Sequence, residues 1–126
     1  MGKINNVFNI PATIDGNFFR LWLEFLRPFH GLKGKELDVM ATFLKERYTL
    51  SKVISDNQLL NKIVMNEDTK RKIRNECGIT PAHFQVIMTK LRKSGMIVDG
   101  QIHPKIIPRL EENPKDFKLL IYFPLQ

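Results

Sequence analysis

The run Cys77-Gly78-Ile79-Thr80-Pro81 constrains this chain more than any other five residues. It sets a helix stop and a helix start back to back. Glycine takes the left-handed conformation that closes a helix at C′, and the isoleucine behind it packs over the last turn. Threonine then offers a side-chain oxygen to the free amides of a new helix. Proline fits the first turn of that helix, where no amide is required. The flanks agree with this reading. Asn66 can cap a helix whose first turn carries Glu67 and Asp68, where the helix dipole favours acids. Thr69, Ile73 and Cys77 form its narrow inward stripe, leaving Arg71, Lys72 and Arg74 outside. Beyond the turn, Phe84, Ile87, Met88 and Leu91 recur at i, i+3, i+4 and i+7 through Pro81–Ser94. Two helices joined by a short turn containing glycine make a helix-turn-helix connection, expected here over residues 67–94.

A hairpin follows at once. Lys93-Ser94-Gly95 ends the second helix, Met96-Ile97-Val98 reads as a short strand, and Gln101-Ile102-His103 reads as its return before Pro104. Asp99-Gly100 between them is a two-residue hairpin signal. A basic helix followed by a tight hairpin is the order of a winged helix, with its wing at residues 96–104. The tip offers an acid, Asp99, so deep insertion into a minor groove is not expected.

Upstream, residues 1–15 read as an extended arm punctuated by Pro11 and Asp15-Gly16. A first helix is expected from about Asn17 to Phe29, with Phe18, Leu21, Trp22, Phe25 and Phe29 on one side and Phe19 and Leu23 on another. Apolar around more than half its girth, it is either core or shared with a second chain. Leu37, Met40, Ala41, Leu44 and Tyr48 define a second helix over about 35–48. Ser55-Asp56-Asn57-Gln58 reads as a capping box opening a short helix that ends near Val64. Downstream, Phe117–Phe123 is mostly apolar and reads as a strand, paired with the wing or lent to another subunit. The expected fold is mainly α with a small β wing. It is a winged helix-turn-helix domain over 34–126, preceded by an arm and aromatic helix over 1–33 and closed by a strand at 117–123.

Composition narrows the function classes. Hydrophobic residues make up 43% and charged residues 26%, the balance of an ordinary globular domain. The single cysteine, Cys77, excludes a disulfide framework and is expected to be a structural thiol. With no apolar signal core at Met1–Asn6 and no run near the ~18 apolar residues of a membrane span, a cytoplasmic setting without a membrane partner is expected. Net charge is +7, of which residues 67–99 carry +3. That excess favours a polyanionic partner. No phosphate loop, nucleophile elbow or metal-ligand spacing occurs, and His30, His83 and His103 lie apart from one another. Neither an enzyme nor a cofactor, metal or small-molecule substrate is expected.

Thr80-Pro81-Ala82-His83-Phe84, with Leu91, Gly95 and Ile97, resembles the recognition-helix-to-wing stretch of winged helix-turn-helix proteins. Ile102-His103-Pro104-Lys105-Ile106-Ile107-Pro108 resembles the wing exit of plasmid replication-initiator proteins. Together the resemblances cover about 40 of the 126 residues. They imply a sequence-preferring double-stranded DNA-binding protein, a transcriptional regulator or replication initiator, with helix 81–94 in the major groove. Gln85 is then the candidate for a bidentate bond to adenine, with Ala82, His83, Val86 and Thr89 as its base-edge neighbours. Arg71, Lys72, Arg74, Lys90, Arg92 and Lys93 are the candidate phosphate contacts. Val86, an apolar residue on the expected solvent face, could instead touch a partner protein or simply be tolerated there.

A second expectation stands beside this one. A structural or assembly protein, for example a tailed-bacteriophage virion component, would use the same winged helix for protein contacts. The over-apolar first helix, the apolar C-terminal segment and a central helix face without arginine point that way. A homo-oligomer is expected in either case, a dimer for a regulator and a ring or larger for a virion component.

Overall fold

A computed structural model describes residues 9–125. The expectation of an extended arm at residues 1–8 lies outside them. Among the described residues the chain is mainly helical, with one small antiparallel hairpin. Helices α1 (Phe18–Phe25) and α2 (Arg27–His30) are followed by α3 (Lys35–Ser51), α4 (Asn57–Val64), α5 (Glu67–Cys77) and α6 (Pro81–Lys93). Strands β1 (Ile97–Val98) and β2 (Gln101–Ile102) pair with Ile97 opposite Ile102, and a 3-10 turn spans Pro104–Ile106.

The architecture is organised around α3, which touches α1, α4, α5 and α6. A helix surrounded in this way buries more than one stripe. Leu37, Met40 and Leu44 are buried as their spacing predicts, but so are Val39, Phe43 and Glu46. The rings of Phe43 and Phe84 lie 6.4 Å apart at the α3–α6 contact, both fully buried. One core cluster runs from Phe18 to Ile106, so the aromatic helix and the downstream helices share a single interior.

The first helix differs from its expected form. It breaks at Leu26, ahead of Pro28, which opens α2 because its ring cannot continue α1 unbroken. Its inward face is Phe18, Phe19 and Leu23, whereas Phe25 and Phe29 are exposed. Two aromatic-rich faces compete on this helix, and packing against α3 selects the one that includes Leu23. The chain turn after α2 is held by His30, which is buried. The Leu32 amide donates to Nδ1 at 2.8 Å, and Nε2 lies 2.8 Å from the Leu23 carbonyl. An amide can only donate and a carbonyl can only accept, so these partners put the ring proton on Nε2.

The start of α4 is also revised. Asp56, not Ser55, is the N-cap, its Oδ1 accepting from the amides of Gln58 and Leu59 at 2.9 and 3.4 Å.

The expected strand at 117–123 does not form; the chain from Ile107 to Leu125 contains no regular element. A strand needs an edge to pair with, and the hairpin strands are only two residues each. Phe117 instead packs edge-on against Phe18 and Trp22, with ring centroids 5.2 and 5.4 Å away. Trp22 reinforces this junction, donating from Nε1 to the Ile106 carbonyl at 2.6 Å. No helix of the described residues is long and apolar enough to cross a membrane.

Candidate nucleic-acid interface

The turn that positions α6 is built as the sequence predicts. The Asn66 side chain caps α5 by accepting from the Thr69 amide at 2.8 Å. Gly78 closes α5 at φ 65°, and the amides of Gly78 and Ile79 reach back to the carbonyls of Asn75 and Arg74. Thr80 Oγ1 then accepts from the His83 amide at 3.2 Å and starts α6. Lys35 anchors the turn from outside, donating to the Cys77 carbonyl at 3.0 Å. Cys77 itself is half-buried, its Sγ 3.4 Å from Thr42 Oγ1.

Helix α6 is two-sided. Phe84, Ile87, Met88 and Leu91 are buried against the core. Ala82, His83, Gln85, Val86 and Thr89 are all exposed on the other side. The Thr89 hydroxyl donates to the Gln85 carbonyl one turn back at 3.0 Å, which leaves its methyl and an oxygen lone pair for an outside partner. At the far end Gly95 (φ 81°) turns the chain into β1, and the Met96 amide bonds the Leu91 carbonyl. Asp99 and Gly100 both have positive φ, 56° and 72°, as a two-residue primed turn requires. The hairpin continues one pair beyond its strands, with the His103 amide donating to Met96.

The six candidate phosphate contacts fall into distinct environments. Arg92 and Lys93 are exposed, and neither joins an ion pair among the described residues. Lys90 reaches back to Glu36 on α3 at 2.7 Å. Arg71 faces Asp68 on its own helix at 3.4 Å. Lys72 bonds the buried carboxylate of Glu46 at 3.0 Å, and Arg74 lies over the Phe84 ring, 5.6 Å from its centroid. The fold therefore brings Lys90, Arg92 and Lys93 to the exposed end of α6, while Lys72, itself 63% exposed, reaches across to Glu46 on α3 and the half-buried Arg74 lies against Phe84. Spacing alone does not reveal those last two roles, because Glu46 lies 26 residues before Lys72.

A groove of about 690 Å³ lies elsewhere, between α3 and residues 107–113. It mixes Arg47, Lys52 and Arg109 with Glu111 and Glu112 and includes no residue of α5 or α6. Burial holds the Arg47 guanidinium below its ordinary pKa, and its Nε donates to Asn61 at 3.3 Å. Among the described residues no three of His, Cys, Asp or Glu gather in a group able to hold a metal ion.

Comparison with known proteins yields no match to a family model, to a curated protein or to a solved structure.

Proposed function

We propose that this chain is a winged helix-turn-helix protein, with α5 and α6 as the helix pair and β1–β2 as the wing, that binds double-stranded DNA through α6. The observation carrying this reading is the outer face of α6. Ala82, His83, Gln85, Val86 and Thr89 are exposed on a helix whose other side is locked into the core, and Arg92 and Lys93 stand free at its end. A helix of 13 residues is about 20 Å long and fits a major groove about 12 Å wide. Gln85 bonds adenine at N6 and N7, Val86 meets a thymine methyl, and Arg92 and Lys93 clamp phosphates on either side. Arg71 exchanges the exposed carboxylate of Asp68 for phosphate at little expense, because such pairs are worth at most about 1 kcal/mol, and Lys90 swings to phosphate from the largely buried Glu36. The short wing, with Asp99 at its tip, stays on the backbone rather than entering the minor groove.

Selection of bound duplexes from a random pool tests this directly, and enrichment of one motif is the expected result. Affinity should fall with salt at a log–log slope between about −2, for Arg92 and Lys93 alone, and about −4, when Lys90 and Arg71 join them. Gln85→Ala should flatten the selected motif. No salt-dependent duplex binding at micromolar concentration would sink the DNA reading.

One observation favours a second reading, a structural or assembly protein such as a virion component. Leu119–Leu125 is apolar and exposed, a surface that DNA contact does not use. A chain that ignores duplex DNA yet forms large closed assemblies would establish this second role in place of the first.

A further inference from the structure

We propose that residues 119–125 form a docking arm, which one copy of this chain lays on the Phe25–Phe29 stripe of a second copy. The argument begins at Phe117. Phe18, Trp22 and Phe25 follow one another at i, i+4 and i+7 on one side of α1, and Phe29 stands four residues further on in α2, past the break at Leu26, so the aromatic run continues from one helix into the next. Within the chain, Phe117 covers only the first half of this stripe, meeting Phe18 and Trp22 edge-on. Phe25 and Phe29 remain 49% and 79% exposed. Immediately past Phe117 the chain runs into Leu119, Leu120, Ile121, Tyr122, Phe123 and Leu125, which are 45 to 92% exposed. An uncovered aromatic stripe and an uncovered apolar arm, about 90 residues apart in sequence, thus both lead away from the Phe117 junction, and each stays exposed within one chain.

Area and charge indicate what covers them. Phe25 and Phe29, 49% and 79% exposed, offer on the order of 250 Å², and an arm face that covers them loses a similar area, so two reciprocal contacts bury about 1,000 Å², the least a specific interface needs. None of residues 119–125 is charged, and Arg27, beside the stripe, is already paired with Glu24 at 2.7 Å. The net charge of +7 is carried elsewhere and does not oppose the contact locally. Because arm and stripe belong to the same chain, exchange between two copies covers both surfaces on both, the closed arrangement that self-association favours. A partner of another kind would cover one and leave the other bare.

Interfaces at this lower limit of area are weak, so light scattering on the full chain at about 100 μM is the first measurement. The expected mass is two copies or a larger closed multiple, without DNA present. Deletion of residues 119–126, and separately the double substitution Phe25→Asp with Phe29→Asp, should each give the mass of one copy with the helical circular dichroism unchanged. A full chain that stays single overturns the proposal, as does an arm-deleted chain that keeps its assembled mass. A stripe-substituted chain that keeps its assembled mass also overturns it, and would indicate arm-on-arm contact. Binding to duplex DNA is read separately, so either proposal can fail without the other.

Discussion

Lys72 and Lys93 lie in the same basic third of the chain, yet their surroundings assign them different tasks. Lys72 neutralises Glu46, a carboxylate buried at the α3–α5 contact. Lys72→Ala leaves that carboxylate short of its charged partner and should lower stability by up to about 1 kcal/mol in denaturant titration, because the lysine end of the pair is screened by solvent. Duplex affinity should hardly change. Lys93→Ala is the converse case: stability should stay within about 0.5 kcal/mol, while binding to every duplex weakens alike and the salt slope falls by about 1. Lys45 supplies a residue-scale test in pH. Its hydrogen bond to Glu76, at 2.8 Å, raises its pKa above the ordinary 10.5, helped by the nearby charges of Glu76 and Glu46 and opposed by burial. A lysine raised on folding stabilises fully below its unfolded pKa and loses that contribution as pH passes the folded value. Lys45→Met should therefore melt slightly below the parent at pH 8, by a gap that closes above pH 10.5. A gap that persists at high pH would assign the effect to packing instead.

Among the elements, the α5–α6 turn was the most legible and the first helix the least. Gly78 sits in the left-handed region with nothing within 4 Å of where a Cβ would stand, so only backbone conformation restricts the position. Gly78→Ala should destabilise by about 1 kcal/mol, and D-alanine introduced by chemical synthesis should not. Helix α3 was half legible. Leu37, Met40 and Leu44 announce one face, but nothing nearby in sequence says that Val39 and Phe43 are also covered, since their neighbours come from other elements. For α1 the pattern allowed two faces, and contact with α3 decided for Phe19 and Leu23 over Phe25. The apolar alternation at Phe117–Phe123 was a strand signal without an edge to pair with. Helix propensity is satisfied within one segment, whereas a strand is defined only by its neighbour.

For the whole molecule, the Trp22–Phe117–Ile106 junction ties the two ends of the chain together. Phe117→Ala should cost about 1–2 kcal/mol, since Phe117 is only partly buried, and should shift the emission of Trp22, the single tryptophan, to the red. An unchanged spectrum would mean that Phe117 does not cover the indole in solution. The candidate DNA face divides along the same line as the fold. The exposed set Ala82, His83, Gln85, Val86 and Thr89 was legible, because the buried stripe of α6 leaves those positions outside. The fates of Lys72, Lys90 and Arg74 were not, because Glu46, Glu36 and the face of Phe84 reach them only after the chain folds. By itself the sequence determined the caps of α5 and α6, the glycine stop, the two faces of α6 and the primed hairpin turn, since each depends on residues within about four positions of one another. Only the tertiary structure decided which side of α1 is core, how completely α3 is enclosed, which cations remain free and that residues 119–125 stay uncovered. Burial, ion pairing and strand formation each require a partner supplied from far along the chain.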